Sequence, residues 1–160
     1  MTPAELITRN FRDLLADNFG ATLSVYSLLI EALDGEPHVA PASGIAVNIA
    51  VSGQRAEPLP LYDFTLTAAL AVAVDEDKGA TLFAQNYEAI WNACDWLARE
   101  DNCAALGADN IFLVDGFQLA ASNAPAFLDD ESGGTWQVSF SAKITGRAIA
   151  AATPTANEDD

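Results

Sequence analysis

The sequence predicts one α+β domain, with an antiparallel or mixed sheet of about four to five strands packed by an N-terminal helix and a central amphipathic helix. Two segments repeat apolar residues every three or four positions, which is typical of helices. Four others alternate apolar with small or polar residues, which is typical of strands. At 160 residues the chain suits a single domain, which buries about 70% of its extended-chain surface. We expect this domain to span residues 1–148.

The N-terminal helix is predicted from its first residues onward. Thr2, Pro3 and Glu5 stand in the order of a capping box, with a hydroxyl N-cap, proline at the first helical position and a carboxylate that reaches back. The apolar face of the helix is formed by Ile7, Phe11, Leu14 and Leu15. Gly20 is the predicted stop. Residues 21–33 are apolar nearly throughout, so periodicity leaves this segment open between strand and helix.

The remaining elements follow from alternation and helical spacing. Residues 45–51 and 64–74 alternate as two strands, and residues 81–99 repeat apolar positions as a helix. Residues 110–122 and 135–148 alternate as two further strands. The central helix has enough apolar bulk to cover a sheet. We expect it to pack against the large apolar side chains of the strand at 64–74.

The second face of that strand consists of small residues: Thr65, Thr67, Ala69, Ala71 and Ala73. Alanine is depleted in strands, so this composition is unusual for a face in contact with solvent. Small side chains allow another layer to approach closely. That layer is either the N-terminal helix of the same chain or a neighbouring subunit. We expect the helix, because layered folds cover their sheets on both sides.

The segment 123–134, NAPAFLDDESGG, is predicted to be a long acidic loop between the last two strands. Loops of this length in compact domains are often functional. Its acidic residues 129–131 could hold a cation together with a neighbouring chain. Exposed charge clusters are usually only solvated, so we predict no cation there. Residues 149–160 have an acidic, low-complexity composition, and we expect them to form a flexible tail.

The charge balance argues against some classes of partner. The chain has 23 acidic and 7 basic side chains, a formal net charge of −16. Specific binding to a nucleic acid duplex depends on lysine and arginine, so we do not expect it. The spacing of Cys94 and Cys103 matches no zinc pattern, and we expect reduced thiols in a cytosolic protein. No apolar run is long enough for a signal peptide or a bilayer span.

Catalytic and metal-binding motifs are not found in the sequence. His38 is the only histidine, and no nucleophile motif accompanies it. Asp75 and Asp77 are spaced somewhat as in a calcium loop, but Asn86 stands where that loop requires a bidentate glutamate. We therefore predict no catalytic residue, no cofactor and no metal site.

Four segments carry a resemblance to a known group of proteins. They are LYDFTLTAALAVAVDED, which runs directly into ATLFAQNYEAIWNACDWLA, and then IFLVDGFQLAAS and WQVSFSAKITGR. In pattern and element order they resemble the tail-terminator and tail-completion (neck) proteins of long-tailed bacteriophages. The resemblance covers residues 61–147, and the capped N-terminal helix fits in front of it. Residues 21–33 and the loop after them are longer than the pattern needs.

The resemblance implies a function in virion assembly, without an active site. Such a subunit forms a ring, commonly hexameric, that caps the tail tube and docks to the head, so its partners are other copies of itself, tail-tube proteins and head-completion proteins. DNA passes through without specific binding, and a negatively charged channel favours its passage. The protein would be found in the virion after assembly in the host cytoplasm, with no role for a membrane.

The same resemblance gives candidate residues for the subunit interface. An apolar pair at an otherwise polar loop tip is typical of an anchor. The candidates are therefore Phe127 and Leu128 with their acidic neighbours, and the small face of the strand. In full, they are Phe127, Leu128, Asp129, Asp130, Glu131, Thr65, Thr67, Ala69 and Ala71.

Two alternative functions stay open at this point. One is a small-ligand-binding or enzymatic α+β domain. The other is a tail-tube or baseplate subunit, which would polymerise instead of closing. The sequence does not separate a terminator from a tube subunit, because ring closure depends on the angles of the interface.

Overall fold

The structure is a computed structural model that describes residues 1–37, 40–55, 60–73, 79–109, 111–130 and 133–148. It confirms the α+β class: helices pack on a mixed sheet of six strands. The elements are α1 (Pro3–Asn18), β1 (Val25–Tyr26), α2 (Leu28–Leu33), β2 (Gly44–Arg55), β3 (Leu61–Ala73), α3 (Gly79–Leu97), a 3₁₀ turn (Asn102–Leu106), β4 (Phe112–Ser122), β5 (Ala126–Asp130) and β6 (Gly133–Ala148).

The N-terminus of α1 forms only half of the predicted capping box. The Thr2 hydroxyl accepts a hydrogen bond from the backbone N–H of Glu5 at 3.2 Å, and Pro3 occupies the first turn. The Glu5 carboxylate accepts a hydrogen bond from Arg9 at 2.9 Å. Arg9 in turn donates to Asp34 at 2.7 Å, so the same arginine links α1 to the end of α2.

The ambiguous segment 21–33 contains both kinds of structure. β1 is a two-residue strand that pairs in parallel with Ile45 and Ala46 of β2, and α2 follows at once. The approach to β1 is fixed by Asn86 of α3, which is completely buried. Its side-chain oxygen accepts hydrogen bonds from the backbone N–H groups of Thr22 at 2.9 Å and Leu23 at 3.2 Å.

The strands follow the order β1-β2-β3-β6-β4, and β5 pairs with the first residues of β6. β1 and β5 bring the strand count above the predicted four to five. β3 and β6 pair without interruption from one end to the other. The edge strand β4 is bulged between Val114 and Gly116 and between Leu119 and Ala121. β2, which β1 covers only at Ile45 and Ala46, is bulged between Val51 and Gly53.

The core lies between the sheet and the two long helices. β3 alternates as predicted, and its buried residues are Phe64, Leu66, Ala68, Leu70 and Val72. α3 adds Phe83, Ile90 and Leu97 to this core, which confirms the predicted contact. α1 adds Ile7, Phe11 and Leu15 to the same core.

The prediction that α1 covers the small face of β3 is therefore wrong. Packing both helices on one side joins two apolar stripes and the large side chains of the sheet in a single core. The alanines and threonines of the other face offer too little apolar area to hold a helix with such bulky side chains.

The prediction of a long loop at 123–134 is also wrong. Only residues 123–125 connect β4 to β5, and β5 then forms a hairpin with β6. Several other predictions concern residues outside the described ranges: His38, Asp75, Asp77, Glu131 and the tail at 149–160. Within the described ranges, no helix combines the length and the hydropathy of a membrane-spanning segment.

Candidate subunit interface

One side of the sheet is not covered by any described helix, and we call it the open face. It is formed by the outward residues of β2, β3 and β6, whose cross-strand pairs place them on the same side. These residues are Ala46, Asn48, Ala50, Thr65, Thr67, Ala69, Ala71, Thr135, Gln137, Ser139, Ser141 and Lys143. All of these except Lys143 are uncharged, so this part of the open face is small, flat and weakly polar. Beyond it, the same side of the sheet carries the charged residues Asp63 on β3 and Arg147 on β6.

Close packing of short side chains defines the centre of the open face. Ala69 lies between Ala46 on β2 and Ser139 on β6. Thr67 lies between Asn48 and Ser141 in the same way. Because none of these side chains projects far, the backbone of another layer can come close to the sheet.

The hairpin of β5 and β6 lies at one end of the sheet, where β6 also pairs with β3, and aromatic contacts hold it. The ring of Phe127 lies 5.0 Å from that of Trp136, measured between centroids. It also covers Gly134, where an added Cβ would collide with the ring. Trp136 lies 5.8 Å from Phe83 of α3. Although Phe127 is 43% exposed, it therefore stabilises its own hairpin.

Leu128 lies on the opposite side of β5 and is 54% exposed. It lines a shallow groove of about 380 Å³ together with Ala69, Ala71, Ala126 and Gln137. Leu128 was selected from the predicted loop, whereas Ala69 and Ala71 were selected from the strand. The structure brings these three candidates together on the open face.

The other candidates lie further away. Thr65 and Thr67 continue the open face away from the groove. Asp129 is exposed near the end of the hairpin, and Asp130 is the last residue of β5. The structure thus joins part of the predicted set in one groove and spreads the rest along the sheet and the hairpin.

The sequence matches no protein-family model and no curated protein. The function is therefore inferred from the residues and geometry of the open face.

The sequence did not single out a group of basic residues at the far end of the open face, which we call the basic cluster: Arg55, Lys143 and Arg147. Arg55 pairs with Asp63 at 3.2 Å, and Arg147 pairs with Asp115 at 2.9 Å. Lys143 has no ion pair among the described residues. Alternation already placed Lys143 outward on the last strand. Arg55 was missed because it fell in a predicted connection.

Catalysis would need a metal-binding group or a reactive nucleophile among the side chains. In the described part of the chain, no group of histidine, cysteine and carboxylate side chains is arranged to hold a metal ion. Cys94 and Cys103 are buried free thiols. Burial raises the pKa of Cys94 to about 12, and it also raises the pKa of Cys103. At neutral pH both are therefore protonated, and neither is an active nucleophile.

Proposed function

We propose that the protein is a virion structural subunit, a ring-forming tail terminator or neck subunit that caps the tail tube of a long-tailed bacteriophage. The observation that supports this most is the open face, where one side of a six-stranded sheet is free of any described helix. Its small side chains meet the exposed Leu128 at one groove. A second copy of the chain would cover this surface.

The hairpin supports the proposal because ring contacts and pairing with β3 hold it in place. Phe127, Trp136 and Phe83 connect it to α3 through successive ring contacts. A ring closes only when each contact repeats the same rotation, so a subunit with a rigid contact arm can set that rotation. Two strands alone would be too weakly held to do so.

In this proposal the protein works through contacts and not as an enzyme. Its partners are further copies of the chain, tail-tube proteins and head-completion proteins. The net charge of −16 repels DNA phosphates, which favours passage through a ring over binding to it. The protein would assemble in the host cytoplasm and remain in the virion.

The first experiment measures the mass of the purified protein by light scattering over a range of concentrations, with negative-stain images of any assembled peak. We expect closed rings with a central hole. An open polymer would point instead to a tail-tube or baseplate subunit. A 16.9 kDa monomer at every concentration, with or without tail tubes added, would contradict self-assembly. A metabolite screen by thermal shift would then test the groove as a ligand site.

A pair of matched variants tests the groove. Leu128→Gln should weaken association at least about tenfold, because it removes an apolar contact from the centre of the interface. Leu33→Gln is the control, since Leu33 is 53% exposed, close to the 54% of Leu128, and lies at the end of α2. Equal effects of the two variants, or no effect of either, would place the interface elsewhere.

A further inference from the structure

We draw no further inference here: the strongest candidate, the groove of the open face lined by Leu128, Ala69 and Ala71, belongs to the candidate interface already described, and nothing among the described residues shows what covers it.

Discussion

At the scale of single residues, Asn86 shows how one buried polar side chain positions a whole segment. In the sequence it was noticeable only as a mismatch to a calcium loop. In the structure it is completely buried and also donates to the Thr22 hydroxyl at 2.9 Å and the Leu82 carbonyl at 2.8 Å. These bonds hold the chain that leads into β1. Such a role depends on contacts 64 residues apart, so local sequence patterns do not reveal it.

Replacement of Asn86 tests this role. Asn86→Leu should lower the free energy of unfolding by about 2–4 kcal/mol, because the N–H groups of Thr22 and Leu23 lose their buried acceptor. Urea unfolding measures the change. The control is Asn92→Leu, at an exposed position on the same helix, which should change it by less than about 0.5 kcal/mol. Similar losses in the two variants would mean that the buried network of Asn86 does not cause the effect.

At the scale of elements, prediction succeeded where the signal is local. The alternation of β3 and the three- and four-residue spacing of α3 were both confirmed. β5 was missed because its pairing depends on Phe127 covering Gly134 and meeting Trp136, which no periodicity reveals. β1 was left ambiguous because it has only two residues and depends on its partner β2.

One substitution on the small face of β3 should have opposite effects on stability and on self-association. Ala69→Thr should raise the free energy of unfolding by up to about 1 kcal/mol, because threonine suits a strand better than alanine. The same variant should weaken self-association, since the larger side chain holds the next layer away. Urea unfolding and light scattering measure the two quantities.

Ala84→Thr on the exposed side of α3 is the matched control. It should lower the free energy of unfolding by about 0.5 kcal/mol, because threonine is a poorer helix former, and leave association unchanged. If Ala69→Thr associates as well as the unmodified protein, the centre of the open face does not take part in the contact.

At the scale of the whole molecule, the sequence predicted the α+β class but not which side of the sheet stays open. That outcome depends on α1 and α3 sharing one core, a long-range choice that neither amphipathic helix specifies alone. For the same reason, the sequence predicted single residues of the candidate interface but not how they are arranged. Leu128 and Ala69 were chosen separately, and only the three-dimensional arrangement placed them in one groove.

Net charge predicts how association depends on salt. Copies that each carry −16 repel at long range. Association should therefore rise between about 20 and 150 mM salt, as the screening length shortens to about 8 Å. Light scattering across this series measures the change. A steady fall from the lowest salt concentration in the unmodified protein would show that repulsion between whole molecules does not limit association.

The bulges in β2 and β4 have a consequence for how copies meet. A bulge bends a strand and increases its twist, so a bulged edge is a poor template for an added strand. Along β2 and β4, the bulges therefore disfavour edge-to-edge joining into fibrils, which rarely come apart. Contacts between faces and hairpins, in contrast, separate readily one at a time. We therefore expect a wrongly seated subunit to leave the growing assembly and be replaced before the structure is complete.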